Sequence, residues 1–468
     1  MDGGAVHVVL DVSRFLACGR RRAPSGIDRV EAAYVRHWLA APPAEVTFAA
    51  RAPRGGYASV PRRLVAALAA QLDTAWAGGP DAAAARTAAR RTGLVALASL
   101  TFGRGRSRLA DVMARERRTL FLLVSHRLME QPEPIEALRR AGAAFIPLVH
   151  DLIPATHPEY ARPGVAMQHL QRLATVASLA DGIIVNSAAT AAVLRPHLVQ
   201  QASPPPLLVA PLGIERTLPG PPAEDGSAAP YFVSIGTIEP RKNHLLLLHL
   251  WRDFAAKWGP AAPRLILVGR RGWENENVLD LLERCTLLRG LVEEAGALPD
   301  PQVAALLAGS RALVFPSFAE GYGLPLAEAL AAGAPVICSD LPALREVGGD
   351  VPEYLDPLDG AGWRRMILDY ATPDSRARAA QLARLRNWSP PAWADHFAAV
   401  NRLLEEVTAR TAPAAAAASA PSASPAPAPV RRPEPAPPRR AEPVPVRRAD
   451  PAPPRAPEPL VARQLGLR

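Results

Sequence analysis

The run Phe315-Pro316-Ser317-Phe318-Ala319-Glu320-Gly321-Tyr322-Gly323-Leu324-Pro325-Leu326-Ala327-Glu328-Ala329-Leu330-Ala331-Ala332-Gly333 joins an apolar strand to an apolar helix through a loop that carries a carboxylate. The strand ends at Phe315 and the loop holds Glu320. Gly321 and Gly323 let the backbone approach a ligand closely, because glycine has no Cβ to clash. A helix is expected from Pro325, whose ring suits the first helical position. Its N-terminus offers unpaired N–H groups and a partial positive charge, a site for an anion. Glu328 is expected on the first turn. It stands eight residues after Glu320, across the loop–helix junction, so both carboxylates can face one ligand. Carboxylates suit sugar and ribose hydroxyls, whose protons they accept.

The same strand–loop–helix unit recurs on both sides of this run. Val6 to Leu10 is an apolar run ending at Asp11, and Ser25-Gly26-Ile27-Asp28 has the pattern of a capping box before a helix. Further strands are expected at 46–50, 119–124, 144–149, 182–185 and 207–209, with a helical stretch from about 60 to 118. Residues 202–230 are rich in Pro, Ala and Gly and suggest a linker. A second series follows, with strands at 231–235, 264–268, 312–315 and 335–338. Helices are expected at 244–258, 278–287, 301–307 and 325–332, with Asp300 as N-cap before Pro301. The fold class is therefore α/β. Two Rossmann-like, doubly wound domains (1–215 and 231–390) face a cleft, with a linker at 216–230. A C-terminal helix at 391–410 is expected to return to the first domain. Ligands of such sheets sit beyond the carboxyl ends of the strands.

The chain has 468 residues, 49% of them apolar, and a net charge of +10. That charge invites a nucleic-acid reading, but only two of the 54 basic residues are lysines, a compositional skew toward arginine. Residues 411–468 hold nine arginines against four acids, so half of the excess lies in a Pro/Ala/Arg-rich tail expected to be disordered. No zinc-finger spacing or aromatic RNA-binding string appears, and nucleic acid is not expected as a partner. The three cysteines form no CxxC pair, which speaks against a zinc site. No secretory leader or membrane span is apparent, so a cytoplasmic protein is expected. The arginine-rich stretch 104–118 is either a solvated helix face or a helix lying on an anionic membrane surface.

Glu320 to Glu328 resembles the E-x7-E motif of retaining GT-B glycosyltransferases of the group 1 family, also called glycosyltransferase family 4. Gly236-Thr237-Ile238-Glu239-Pro240-Arg241-Lys242-Asn243, Val268-Gly269, Gly333-Ala334-Pro335-Val336-Ile337 and Pro342-Ala343-Leu344-Arg345-Glu346-Val347 are similar to that family as well. The resemblance spans roughly residues 5–405 and is strongest over 231–357. It implies that Glu320 contacts the donor sugar and Glu328 the nucleotide ribose. The backbone amides of Gly323 and Leu324 would cradle the distal phosphate, with Gly321 and Tyr322 in the same nucleotide-binding loop. Lys242 and Arg241 would neutralise the diphosphate leaving group, since charge developing in a transition state is where an enzyme gains most. The family commonly has Arg five positions before the lysine, where this chain has Thr237, and Arg241 is a candidate replacement.

His150 ends the run Pro147-Leu148-Val149-His150-Asp151 and resembles a family histidine that faces the donor sugar. A contact to the sugar and a role in moving the acceptor proton are both open, as is a purely structural one. In the first loop the family often has a Gly-Gly pair, whereas this chain has the single Gly26 and the basic run Arg20-Arg21-Arg22. Those arginines either meet a lipid-linked diphosphate acceptor or are solvated.

The resemblance thus implies an enzyme with no cofactor and no required metal, using a nucleotide-diphosphate sugar as donor. The Glu-Pro-Arg-Lys-Asn and His-Asp-Leu-Ile-Pro stretches are similar to bacterial mannosyltransferases of surface-polysaccharide assembly, which points to GDP-mannose. The expected partners are the nucleotide sugar and a glycan or lipid-linked acceptor, with peripheral contact to the inner membrane as a further possibility. A non-catalytic nucleotide-sugar-binding scaffold, an epimerase or a phosphorylase on the same fold are the competing readings, because fold alone does not fix function.

Overall fold

A computed structural model describes residues 6–410 apart from Arg22, Arg54, Gly103, 116–117, 199–203 and 216–228. The tail 411–468 and nearly all of the expected linker lie outside the described residues, as does Arg22. The first domain opens with β1 (His7–Asp11), α1 (Gly26–Ala40), β2 (Val46–Arg51) and β3 (Tyr57–Ser59). Three helices follow: α2 (Arg62–Ala77), α3 (Ala82–Phe102) and α4 (Gly105–Arg115). Then come β4 (Thr119–Leu123), β5 (Ala143–Val149), β6 (Ile183–Val185) and β7 (Leu207–Val209), with helices between β4 and β7. The sheet order is β3-β2-β1-β4-β5-β6-β7, parallel except for the antiparallel edge strand β3.

The second domain contains β8 (Tyr231–Ile235), β9 (Arg264–Val268), β10 (Val292–Gly296), β11 (Leu313–Phe315), β12 (Val336–Ser339) and β13 (Glu353–Leu355). Its order is β10-β9-β8-β11-β12-β13, parallel throughout. Both sheets thus follow the 3-2-1-4-5-6 order of dinucleotide-binding folds. The two doubly wound domains expected from the sequence are present. In each, the order reverses between two central strands, β1/β4 and β8/β11, and the loops after these strands diverge to leave a crevice.

Local chemistry explains most of the elements. The buried strands β1, β4 and β5 are continuous apolar runs because helices cover both faces of the sheet. The capping box before α1 is formed in both directions, between Ser25 and Asp28. The stretch 60–118 is helical as expected but is broken twice. Gly78 and Gly79, at φ +78° and +86°, end α2 in a conformation that favours glycine. The helix Trp393–Arg410 packs on the first domain. Val407 fills the space beside Gly182, and His396 lies between the Tyr34 hydroxyl and the carbonyl of Pro211.

Three expectations need correction. Three short strands, β3, β10 and β13, were not foreseen. β10 contains Glu293 and Glu294, both exposed at a sheet edge, so it has no apolar run to read. Asp300 is not an N-cap: Pro299 holds that position, and the Asp300 side chain is used elsewhere. The helix expected from Pro325 starts at Leu324, with Gly323 as its cap at φ +105°. In α4, two apolar residues turn inward. Leu109 is buried against the first domain's core, with Met113 packed beside it. Leu109 and Met113 are thus already used internally.

Candidate active site at the interdomain cleft

The loop after β8 brings two cations to the switch point. It needs glycine at Gly269, where φ is +153° and a Cβ would sit 1.9 Å from the Gly236 carbonyl oxygen. The loop then makes a single helical turn, Pro240–Lys242, ended by Asn243 in the left-handed region. The loop after β11 descends beside it, and the Phe318 amide donates to the carbonyl of Arg241 at 2.8 Å. These two loops assemble a buried ion cluster. Lys242 Nζ donates to Glu320 Oε1 at 2.7 Å and lies 4.5 Å from the centre of the Phe315 ring. Arg241 Nη1 stands 2.9 Å from the same Glu320 oxygen, and its Nη2 is 2.7 Å from Glu239 Oε1.

The cluster holds two cations and two carboxylates, so its formal charge is zero. Burial alone would raise the Glu320 carboxyl, but the charges of Arg241 and Lys242 outweigh it and hold the group at about 2. Glu320 is therefore ionised at neutral pH. Burial pushes the Lys242 ammonium below its ordinary value, against the pull of Glu320. An ammonium has three donors and Glu320 takes one. Lys242 can therefore keep this contact while donating to a phosphate oxygen.

Beyond Glu320 the loop is committed to the other domain. A Cβ on Gly321 would sit 2.5 Å from the carbonyl oxygen of His150. The Gly321 carbonyl accepts from Ser187 Oγ at 2.8 Å and from Thr190 Oγ1 at 3.2 Å. Tyr322 is buried, and its hydroxyl donates to the carbonyl of Leu212 at 2.7 Å. The close backbone approach at Gly321 and the side chain of Tyr322 thus serve domain contact, and what the loop can offer a ligand here is its backbone. Gly323 then turns the chain, and a Cβ there would strike Leu344 Cδ2 at 2.5 Å. The helix Leu324–Ala331 has no side-chain cap, so its leading N–H end remains suited to an anion.

Glu328 lies beyond the first turn of that helix rather than on it. Simple stabilisation of the helix dipole therefore does not explain it. Burial raises its carboxyl, and Arg29 of α1 works against that rise, with Nε 3.9 Å from Oε1. Arg29 also grips Asp300 in a two-point contact at 2.6 and 2.7 Å. A pocket here is lined by Arg29, Arg36, Trp76, Glu215, Leu324 and Glu328, among others. Arg29 and Asp300 were missed in the sequence because nothing in either segment signals that they meet.

On the first domain's side, His150 is buried at the end of β5. Its Nε2 is 2.7 Å from the carbonyl of Val124. A carbonyl only accepts, so Nε2 carries the proton and Nδ1 the lone pair. Burial pushes the imidazole down to about 4, so it is neutral at pH 7. Gly26 begins α1 directly opposite Leu324: a Cβ on it would lie 3.0 Å from Leu324 Cδ1. The first-loop arginines are only partly free. Arg21 pairs with the buried Asp28, and Arg14 Nε donates to Asp28 at 2.9 Å, whereas Arg20 is exposed. Cys18, Asp28 and Glu31 lie close enough to share a metal ion. Their charge is already met by Arg14 and Arg21, and burial raises both the Cys18 thiol and the Glu31 carboxyl.

The comparisons with known proteins agree with this geometry. Residues 224–351 match the family model "Glycosyl transferases group 1". The chain is 41% identical over 145 residues to the O-antigen chain mannosyltransferase B of Escherichia coli, covering 31% of this chain and 38% of that one. It is 31% identical over 265 residues to the serotype-specific mannosyltransferase WbdA of Escherichia coli, covering 53% of this chain and 32% of that one. The matches thus span only about a third of the length of these relatives. Among solved structures, the sucrose-phosphate synthase of Thermosynechococcus elongatus superposes with a TM-score of 0.56 at 16% identity, over 87% of this chain and 100% of that one. That likeness supports the fold alone. Over residues 224–351 this chain is similar to the glycosyl transferases of group 1, its fold is of the GT-B kind, and mannosyltransferases are among its sequence relatives.

Proposed function

We propose that this chain transfers a sugar from a nucleotide-diphosphate donor to a glycan or lipid-linked acceptor, with retention of configuration. The observation that carries this reading is the buried pair Lys242–Glu320, 2.7 Å apart at the switch point of the second sheet. In this reading Lys242 and the uncapped helix at Leu324 stabilise the diphosphate as it leaves. Glu320, held ionised by its cations, accepts from hydroxyls of the donor sugar. Glu328 accepts from the ribose. The acceptor hydroxyl attacks the anomeric carbon on the face from which the diphosphate departs, and a departing phosphate oxygen takes its proton. That bond exchange retains configuration. His150 is too weak a base at about 4 to take this proton, and its Nδ1 lone pair suits a sugar hydroxyl donor instead.

The mannosyltransferase relatives support mannose as the transferred sugar and, through the O-antigen chain enzyme, surface-polysaccharide synthesis as the setting. GDP-mannose as donor and the cytoplasmic face of the inner membrane as the place belong to this proposal. Within this reading Lys242, Arg241 and the helix terminus meet the leaving group's charge without a metal ion. The test is a thermal-shift screen against GDP, UDP, ADP and their sugars, with and without magnesium, followed by a transfer assay with the best donor. At a hundred times its dissociation constant a ligand of the native state stabilises it by about 2.7 kcal/mol. A shift with GDP that needs no magnesium, followed by transfer of mannose, is the expected result. Binding without transfer would instead favour a scaffold, and no shift with any nucleotide would overturn the reading.

A further inference from the structure

Helix α3 has two contrasting faces. Its inner face is made of small residues, Ala82, Ala89, Gly93 and Ala96, with Leu100. These allow very close approach to the turn Phe15–Arg20 in the first loop. A Cβ on Gly93 would lie 2.4 Å from the Leu16 carbonyl oxygen, and one on Gly19 would lie 2.7 Å from the Ala89 carbonyl carbon. The outer face carries Leu94, Val95 and Phe102, which are 48%, 55% and 86% exposed. Leu94, Ala98 and Phe102 follow one another at i, i+4 and i+8, a single stripe on the helix. Phe102 is the most exposed large apolar side chain among the described residues. Water does not favour such a stripe, which marks a contact surface.

The charged residues of α3 itself are of one sign. Residues 82–110 contain six arginines and no aspartate or glutamate. Arg90 and Arg91, one turn before Leu94 and Val95, Arg104, two residues after Phe102, and Arg108 at the start of α4 are all exposed. A protruding phenylalanine and aliphatic pair on a helix whose charged residues are all arginines, with Asp81 and Asp111 the nearest acids in sequence, matches the boundary of an anionic bilayer, with acyl chains below and phosphates above. The segment 411–468 is a poor occupant for the same surface, since it carries nine arginines against four acids and would be repelled.

We propose that the outer face of α3, together with Arg104 and Arg108, docks this protein on an anionic phospholipid surface. Phe102, Leu94 and Val95 enter the headgroup boundary, and the arginines meet lipid phosphates. The inner face of α3 seats the turn Phe15–Arg20, which leads into the Ser25 cap and into Gly26, opposite Leu324. Docking through α3 therefore brings the first-loop side of the cleft to the membrane. The consequence that the acceptor is lipid-linked rests on the proposed transferase reading, whereas the docking surface stands without it.

The test is sedimentation of the full chain with vesicles of phosphatidylglycerol and phosphatidylcholine, against vesicles of phosphatidylcholine alone. Wild type is expected to sediment with the anionic vesicles only and to be released by raised salt. The double variant Leu94→Ser/Phe102→Ser and the double variant Arg104→Gln/Arg108→Gln are each expected to lose at least about tenfold in vesicle affinity. All four positions are exposed, so unchanged melting temperatures and unchanged nucleotide shifts would show that fold and cleft are intact. Wild type that stays in the supernatant would overturn the proposal. So would Leu94→Ser/Phe102→Ser binding as wild type does, which would move any lipid contact to 411–468. Vesicle binding by a protein without transferase activity would leave this proposal standing and sink the other.

Discussion

Arg29 of the first domain holds Asp300 of the second at 2.6 and 2.7 Å, while its Nε lies 3.9 Å from Glu328. One guanidinium thus joins the two domains at the same point where it neutralises a carboxylate of the cleft. Its planar fork allows this, and a lysine would lose the two-point grip. Arg29→Ala would leave Asp300 and Glu328 as neighbouring acids without their cation. The donor KM is expected to rise about tenfold, equivalent to about 1.4 kcal/mol. Arg29→Lys should recover only part of it. Steady-state kinetics with varied donor decide the matter, and a KM equal to wild type in Arg29→Ala would remove Arg29 from the binding of donor.

Lys242 tests the chemical step. Lys242→Ala removes the ammonium that faces Glu320 and leaves a space beside Phe315. Loss of a charge contact made in the transition state costs about a hundredfold or more in turnover. The measurement is single-turnover transfer at saturating donor. Turnover within threefold of wild type would show that Lys242 serves only to hold Glu320.

Gly321 separates domain closure from folding. Its missing side chain admits the backbone of His150 and Asp151. Gly321→Ala would drive a methyl into that contact and push the loop off the first domain, breaking the bonds from Ser187 and Thr190. Transfer activity is expected to fall at least about tenfold, because closure excludes water and completes the site. Each domain keeps its own core, so the far-ultraviolet circular dichroism should not change. Retained activity would mean that the contact is incidental to catalysis.

Acid should unfold the protein through its buried histidines. Burial holds His150, His244 and His396 each at about 4, below the ordinary histidine value. Between about pH 6.5 and 4 the unfolded chain binds protons that the folded one refuses, so stability falls as pH falls through this window. At pH 5 each such histidine costs about 2 kcal/mol relative to pH 8. Melting temperature should therefore be level above pH 7 and drop steeply toward pH 5. Burial raises the Asp11 carboxyl to about 6 and the Glu31 carboxyl as well, which works against this drop in the same window. The check on the rings is therefore His396→Gln, whose melting temperature should fall less between pH 7 and pH 5 than that of wild type. An equal fall would contradict the buried neutral state of that ring.

Much of the architecture was legible in the chain itself. Both doubly wound domains announce themselves through apolar strands ending in polar loops, because parallel strands buried on both faces must be apolar throughout. Glu320, Glu328, Arg241 and Lys242 were legible because their neighbours in sequence make the loop and the helix that carry them. The capping box at Ser25 and Asp28 was legible for the same local reason. The strands that escaped notice, β3, β10 and β13, lie toward the edges of the sheets and are short or half-exposed, with little apolar signal to give.

Only the tertiary structure decided what crosses the cleft. Gly321 and Tyr322 read from their motif as part of a nucleotide-binding loop, and the fold adds partners in the other domain, His150, Ser187, Thr190 and Leu212, more than a hundred positions away in sequence. Arg29 and Asp300 are separated by 271 residues, and Glu346 accepts from the amides of Ala188 and Ala189 at 2.6 Å across 158 and 157. The sequence determined the two sheets and the loops that carry the chemistry, since those follow from contacts between near neighbours. How the loops divide their residues between binding a ligand and binding the opposite domain depends on which surfaces meet, and no local pattern encodes that meeting.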